Sequence, residues 1–562
     1  MTGVFPDRSA YLPQDLRSRF RNAVLAGREV AERGVRAALA SMDVDGAPQS
    51  ELGAALQRRL ASYGRDLDGL VEECAYTQWH RVLFARFLAE NELLLHDEGV
   101  SLTLADCADL AAEEDDGRDA WDVAVHYAGR MLPSIFRPHD PAARMRLAAE
   151  HREAMHSVVM ELPTPVFTAA DSLGWSYQYW QARRKDELND SEVLIGGAEL
   201  PAVTQLFTEP YMVDFLIDNV LGAWWDARHP DTPLAFGELR RDGEGRPAAG
   251  TLPSWPDAVA ELRVIDPCCG SGHFLVAGFH ALLRMRVAAE GSSPADAGDA
   301  VLRENLAGLE LDARCIQIAE LNLSVAAWLT GGYRPLPEMR LASSGMHIRG
   351  QLDDWRHLAG ADSAVQGTLE RVYGLMAHSD HLGSLINPRR EPGGEAFVAE
   401  LERALPAVRD AVAGLDLTLI SDAYGDQILN AALALELLTE QHHLVVTNVP
   451  YLGAGKMASD LTRFVERRYP SGRQDLATAM LARCAELCAA GGTVAAVSPR
   501  HWLNLRTLSD FRDEFLDTAF PAVVGVLGSR AFTSIGGEVV NVTVGVFNRG
   551  RRPDHVAVLD AT

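Results

Sequence analysis

Apolar residues recur every three to four positions over Leu16–Ala40 and Gly53–Leu95, with few β-branched runs, a spacing that predicts amphipathic helices. Residues 1–190 therefore read as a helical N-terminal domain. Within it, Cys74–Leu95 (CAYTQWHRVLFARFLAENELLL) places Trp79, Phe84, Phe87 and Leu88 near one face. Such a face is expected to pack into a core, with an aromatic face for DNA as the lesser alternative. The stretch Asp171–Leu200 begins aromatic and ends strongly charged, the character of a linker. From Ala202 the pattern changes to short apolar runs alternating with helical periods, which predicts an α/β fold with a doubly wound sheet. The candidate strands are Leu262–Ile265, Leu306–Glu310, Leu444–Thr447, Thr493–Ser498, Val523–Val526 and Val539–Phe547. GSSPADAG (Gly291–Gly298) reads as a surface loop, and Met346–Gln441 as a helical insertion broken at Ile386–Gly394. The expected catalytic domain is thus discontinuous, made of residues 191–345 and 442–562 around the insertion 346–441.

Composition changes this picture in two places. At 562 residues, 47% hydrophobic and 23% charged, the chain can bury a large core and suggests two or three domains. No long uncharged apolar run suggests a membrane span, and the N-terminus lacks a secretory pattern. Seven scattered cysteines fit a reducing cytoplasm and offer no metal-ligand spacing. The net charge of −26 is the awkward fact for any partner that is itself a polyanion. Nucleic-acid contact would need a locally basic surface or help from another subunit or region.

Two segments carry chemistry. In Val264–Phe274 (VIDPCCGSGHF) a buried strand ends at Asp266-Pro267, and Gly270-Ser271-Gly272 permits a tight turn with close ligand approach. A helix is expected from His273, with Phe274, Leu275, Phe279 and Leu282 on its apolar face. Its N-terminal N–H groups suit an anionic group. A dinucleotide site is the competing reading, but the third glycine of GxGxxG is missing and the next acid comes late. That acid, Glu310, ends the following strand, where a carboxylate can accept both hydroxyls of a ribose, while Asp312 reads as the N-cap of a helix over Ala313–Leu329.

The second segment, Val445–Tyr451 (VVTNVPY), is a strand running into an Asn/Pro/aromatic turn. A planar amino group such as that of adenine gives its lone pair to the ring and is a weak nucleophile. Two acceptors aimed at its protons favour a tetrahedral nitrogen with the pair free. The Asn448 side-chain oxygen and the Val449 carbonyl are the candidates, and no base of matched pKa is needed. Tyr451 can stack on the base, an interaction of about 1–3 kcal/mol.

DPCCGSGHF followed by NVPY resembles the gamma-order amino-methyltransferases, in which the cofactor motif precedes the catalytic one. Cys74–Leu95, Leu173–Trp180, Pro201–Trp225 and His381–Pro388 extend the likeness to the large adenine-specific methyltransferases of phage defence, PglX of BREX systems and the DISARM methyltransferase. The resemblance covers about Cys74 to Phe547. It implies a Rossmann-like methyltransferase sheet, S-adenosyl-L-methionine as cofactor, no metal, and double-stranded DNA with a flipped adenine as substrate. Phe207, Thr208 and Pro210 would lie against the methionine part. Asp266, Pro267, Cys268, Gly270, Gly272 and Phe274 would form the cofactor loop, and Glu310 would hold the ribose. Asn448, Val449, Pro450 and Tyr451 would form the catalytic turn, with Phe532 as a second aromatic against the base.

The resemblance further implies a cytoplasmic protein with defence-system partners, and sequence recognition supplied by a region or partner beyond these motifs. Two departures matter. The catalytic motif normally reads Asn-Pro-Pro-Tyr, and Val449 stands at the first proline. LASSG (Leu341–Gly345) occupies the stretch where an acid usually meets the cofactor adenine. Two other functions remain compatible with the residues: a methyltransferase acting on an RNA base or a protein amide, and a cofactor-binding scaffold subunit that no longer catalyses.

Overall fold

The computed structural model describes residues 11–562 except 62 (side chain only), 115–116, 192, 198, 346–351, 359–362, 378, 414–421, 529–530, 533–540, 551 and 554, together with some side chains between 354 and 426. The chain divides into two compact units, Met1–Arg183 with Tyr333–Pro335 and Asp416–Tyr424, and Arg184–Gly332 with Leu336–Leu415 and Gly425–Thr562.

The first unit is helical. The expected single periodic stretch Gly53–Leu95 is two helices, Glu51–Ser62 and Leu67–Glu90, parted where Gly64 and Arg65 adopt φ of +62° and +67°. Trp79, Phe84, Phe87 and Leu88 are all buried, so that face is core. Trp79 packs against the helix Gln14–Ser41 at Gly27, where a Cβ would lie 2.1 Å from the indole. The linker expected over Asp171–Leu200 is instead largely a helix, Ser172–Asn189. Its aromatic half is the reason: Trp175, Tyr177 and Trp180 are fully buried, and Asp171 accepts the Trp175 indole N–H at 2.8 Å.

The second unit is built on one eight-stranded sheet: β1 Val264–Asp266, β2 Leu306–Glu310, β3 Arg340–Ser343, β4 His442–Asn448, β5 Cys488–Pro499, β6 Ala519–Leu527, β7 Val542–Arg549 and β8 Ala557–Ala561. The order is β3-β2-β1-β4-β5-β7-β6-β8. Strands β3 through β5 are mutually parallel, and β7 runs antiparallel to both β5 and β6. This is an α/β, Rossmann-like methyltransferase sheet. Side chains alternate between its faces: Ile265, Leu309 and Val445 enter one apolar cluster, and Val264, Leu306, Leu444 and Val446 the other. Each such burial contributes about 1.5–3 kcal/mol, and a one-residue slip of register would exchange the two sets.

The second cluster is covered by the helices Pro210–Ile217, His273–Glu290 and Ala313–Gly331. The first is covered by helices from the 346–441 stretch, through residues such as Leu369, Phe397 and Leu435, and by the helix Leu476–Leu487. The insertion residues therefore share a core with the sheet. The loop expected at Gly291–Gly298 is mostly a helix, Pro294–Ala300: the Ser293 side chain caps it, Pro294 opens it, and Ala297 is buried. Among the described residues no helix is long and apolar enough to cross a membrane.

The chain winds from β1 outward to β3, then returns to place β4 against the other side of β1. Val264 pairs with Leu306 on one side and with Leu444 on the other. The crevice at the carboxyl ends of β1 and β4 is thus the topological switch point, where open α/β sheets bind ligands.

Candidate active site

The turn after β1 is held almost wholly by its own neighbourhood. Cys269 N–H donates to Leu309 O at 2.9 Å, Gly272 N–H to Cys269 O at 2.8 Å, and Asn322 Nδ2 to Ser271 O at 2.9 Å. Gly270 (φ +52°) and Gly272 (φ +88°) take the left-handed conformations that the turn requires. A Cβ on Gly272 would meet Ala319 Cβ at 3.0 Å, whereas nothing lies within 4 Å of one on Gly270, so the loop's open side is at Gly270. Pro267 follows the strand within this loop, and Phe274 is buried on the core side of the following helix. Burial raises the Cys268 and Cys269 thiols well above their ordinary range, so neither is a thiolate nucleophile.

Two carboxyl groups frame the loop. Asp266 is 1% exposed and accepts the Cys268 N–H at 3.1 Å. Glu310, at the end of β2, accepts the Gly270 N–H on Oε2 at 2.8 Å, and on Oε1 the N–H groups of Leu311 at 2.7 Å and Asp312 at 3.3 Å. Desolvation pushes both carboxyls up to about 7. Asp312 caps the helix Ala313–Gly331 through the Arg314 N–H.

A third segment joins this loop to β4. Phe207 and Thr208 are buried, and Pro210 opens the helix Pro210–Ile217. The Phe207 ring stands edge-on to the His273 ring, with centroids 4.3 Å apart. Thr208 Oγ1 accepts a hydrogen bond from Asn448 Nδ2 at 3.2 Å. Asn448 is thereby oriented, and its Oδ1 is buried with no partner among the described residues. The Tyr451 hydroxyl is likewise buried and unpartnered, and burial raises it well above its ordinary range, with the Asp475 charge adding to the effect.

Val449 explains its own presence. Its N–H donates to Val497 O at 3.2 Å, a bond no proline could make, and its side chain is 2% exposed in the core. Pro450 then carries the chain to Tyr451, which packs against the apolar clusters of both sheet faces.

Phe532 is 6% exposed and packed in the core with Val542 and Val544, so it would have to leave that packing to meet a base. Residues 533–540, including Val539 of the expected last strand, lie outside the described residues. At the end of β3, Ser343 exchanges two backbone bonds with the Asn430 amide, and Ser344 Oγ meets Ser384 Oγ at 3.1 Å. Among the described residues no cluster of His, Cys, Asp or Glu could hold a metal ion.

Sequence reasoning missed the support behind Tyr451. Asp475 caps the helix Leu476–Leu487 through the Ala477 N–H at 2.8 Å, and its second oxygen faces His501 Nε2 at 3.2 Å. Leu476 N–H donates to Leu452 O at 2.9 Å, and Ala454 N–H to Gln474 O at 3.0 Å, so this segment braces the turn after β4. The Asp-Leu pair before an apolar helical run was the available signal.

Residues 245–331 match the family model for the MmeI DNA-methyltransferase domain, and residues 304–524 the model for the Eco57I restriction-modification methylase. Among curated proteins the chain is similar to the adenine-specific methyltransferase PglX of Lacticaseibacillus casei (strain Zhang), 26% identical over 542 residues, covering 86% of this chain and 44% of that protein. It is 28% identical over 459 residues to the adenine-specific methyltransferase BrxX of Escherichia coli O9:H4 (strain HS), covering 75% of this chain and 37% of that protein. Among solved structures it is similar to a DrdV–DNA complex, with a TM-score of 0.47 and 14% identity, covering 97% of this chain and 43% of that one. The chain is related to the PglX and BrxX adenine-specific methyltransferases, and it spans less than half the length of these relatives.

Proposed function

We propose that this chain carries the methyl-transfer centre of a site-specific DNA methyltransferase that modifies adenine N6, marking self DNA in a restriction-modification or phage-defence system. The observation that carries the reading is the state of Asn448: its Nδ2 is committed to Thr208, and its Oδ1 is buried and free at the switch point beside the glycine loop. An acceptor fixed in this way stabilises an amino nitrogen as it becomes tetrahedral, and it needs no reorganisation at the moment of reaction.

S-adenosyl-L-methionine fits the residues present, and it supplies an electrophilic methyl group when bound. The open side of the loop at Gly270 admits a ligand to the backbone. Oε2 of Glu310 has one acceptor direction left after Gly270, enough for one ribose hydroxyl; acceptance of both would displace the long bond from Asp312. Phe207 and Pro210 would flank the methionine part, with Asp266, Pro267, Cys268 and Gly272 shaping the loop and Phe274 anchoring it. The Val449 carbonyl would accept the second amino proton, and Tyr451 would stack on a flipped adenine. Because Val449 N–H is tied to Val497, that carbonyl is held without the ring of a proline.

Exposed Lys456 and Arg473 lie in the segments that follow and brace the turn, giving an acidic chain cationic groups for DNA phosphates where they are needed. The reading places the protein in the cytoplasm, with further defence-system proteins or regions supplying sequence recognition. Modification-sensitive sequencing of DNA from cells expressing the protein with its genomic neighbours tests it. Methyladenine at a fixed motif, lost in an Asn448→Ala variant, is the expected result. Absence of the mark in the wild type, despite measurable cofactor binding, would favour a non-catalytic scaffold subunit instead.

A further inference from the structure

We propose that a cavity beside the motif His381–Pro388 is a docking pocket for a partner protein, taking one phenylalanine-sized side chain from an acidic segment of that partner. The motif carries part of the family likeness, yet it supplies no residue to the glycine loop or to the turn after β4. The fold nevertheless holds it firmly. The Tyr469 hydroxyl donates to Leu385 O at 3.0 Å, Arg483 Nε to Ser384 O at 3.1 Å, and Asn387 Nδ2 to Glu486 Oε2 at 2.7 Å. Fixed in this way, the motif forms one wall of a surface cavity of about 180 Å³. The helix Ser459–Arg468 and the end of the helix Ser363–Met376 supply the others.

The lining sets the size and character of the guest. Leu375, Leu382, Ile386 and Phe464 make the cavity apolar. An apolar cavity of about 150 Å³ accepts one benzene ring, whereas sites for whole small molecules run to roughly 300–1,000 Å³. The space therefore suits a single aromatic side chain, the kind of anchor that fills a pocket at the centre of a protein interface. Gly374 lines the cavity as well. It is an exposed helical residue, and a Cβ there would meet nothing within 4 Å, so a larger residue would occupy the space that a guest needs.

The rim selects the charge of the partner. Three arginines and one glutamate line the cavity, on a chain whose net charge is −26. Arg390 Nη1 donates to Arg468 O at 2.9 Å and Arg468 Nη1 to Arg390 O at 3.1 Å, with Glu486 and Glu391 as their respective ion-pair partners. Arg467 is exposed and has no hydrogen bond or ion pair among the described residues. It follows Phe464 by three positions on the helix Ser459–Arg468, so one helix face carries an apolar wall and a free guanidinium. A carboxylate next to the apolar anchor would satisfy that guanidinium. Duplex DNA offers Arg467 a phosphate but offers the cavity nothing apolar, because its bases are stacked. The apolar interior and the cationic rim together select an acidic protein segment.

Fluorescence anisotropy of the full chain with a labelled Glu-Glu-Phe-Glu-Glu peptide tests this. Saturable binding is expected, about 10-fold weaker when alanine replaces the phenylalanine and weaker again when glutamines replace the glutamates. Gly374→Leu fills the cavity and suits a helix better than glycine. It is expected to weaken the peptide about 10-fold or more without lowering the melting temperature. Arg467→Ala, at an exposed position, should weaken the glutamate peptide about 2–5-fold and leave the glutamine peptide unchanged. Absence of binding by the wild type overturns the proposal, as does binding unchanged in Gly374→Leu or in Arg467→Ala. Displacement of the peptide by duplex DNA, at phosphate concentrations equal to those of the peptide's carboxylates, would assign the rim to nucleic acid and overturn it too.

Discussion

The turns at the carboxyl ends of β1 and β4 are neighbours in the sheet and opposites in construction. The turn after β1 closes on itself: its amides and carbonyls are spent on Leu309, Cys269, Asn322 and Glu310. The turn after β4 leaves Asn448 Oδ1 and the Tyr451 hydroxyl buried and unpartnered. A satisfied turn is a rigid cradle, whose task is to keep one shape. An unsatisfied one gives up about 1–3 kcal/mol per orphaned group, and such a cost is expected where a ligand later supplies the partner. Under the proposed function, the difference separates a surface that would bind from a surface that would act.

Breaking the second turn is expected to have the largest effect. Asn448→Ala should lower single-turnover methyl transfer by about 10²–10³-fold or more, the scale of losing one preorganised transition-state partner, with S-adenosylhomocysteine affinity within about twofold of wild type. The same variant should melt close to the wild-type temperature, because removing the unpaired buried carbonyl offsets the loss of the bond from Nδ2 to Thr208. A large fall in melting temperature would place Asn448 in the fold instead of the chemistry.

Breaking the first turn should reverse that pattern. Gly272→Ala forces a side chain into φ +88° against Ala319 at 3.0 Å, so a destabilisation of about 1–3 kcal/mol and weakened cofactor binding are expected together. Denaturant unfolding beside a ligand titration measures both. Gly270→Ala, facing open space, should destabilise less.

Acidity gives a smaller and gentler test. Glu310 is raised to about 7, so it binds a proton on lowering the pH through that value and then loses acceptor capacity for a ribose hydroxyl. S-adenosylhomocysteine affinity is therefore expected to fall several-fold between about pH 8 and pH 6, and Glu310→Gln should be weaker throughout and flatter. Asp266 is also raised to about 7, so any slope that survives in Glu310→Gln belongs to Asp266. For folding the sign is the opposite: a carboxyl raised in the folded state favours folding when protonated, and its contribution declines as pH rises through about 7.

The smallest expected effect is at Val449. Val449→Pro removes the bond to Val497 O, worth about 1 kcal/mol, while stiffening the chain by a similar amount, so turnover should change less than about threefold. A large gain in rate would show that the valine turn is loose, against the geometry of its N–H.

What could be read in advance follows from where each constraint originates. Gly270 and Gly272 were legible because a turn with positive φ demands glycine, and Glu310 because a strand must end before an acid can face the loop. The partner of Asn448 was not legible: Thr208 lies 240 residues earlier, and only the folded sheet brings them together. Nor was the meaning of Val449, which depends on Val497 in the adjacent strand.

Two strands escaped notice for related reasons. β3 is only four residues long with its serine end tied to Asn430, and β8 is an edge strand with exposed positions such as Val558. The Ser293-Pro294 helix start reads as loop from sequence because glycine and serine dominate its neighbourhood, although a capping serine before proline is a start signal. The aromatic half of the supposed linker is core because Trp175 and Trp180 find burial within the helical unit.

The central claim is that the turn after β4 acts on an adenine amino group. Cells expressing the protein with its genomic neighbours can be fed methionine labelled in its methyl group, and their DNA digested to nucleosides for mass spectrometry. The account predicts label in N6-methyldeoxyadenosine, present with the wild type and lost with Asn448→Ala. Label absent from N6-methyldeoxyadenosine in the wild type, or retained there at wild-type level in Asn448→Ala, would contradict it.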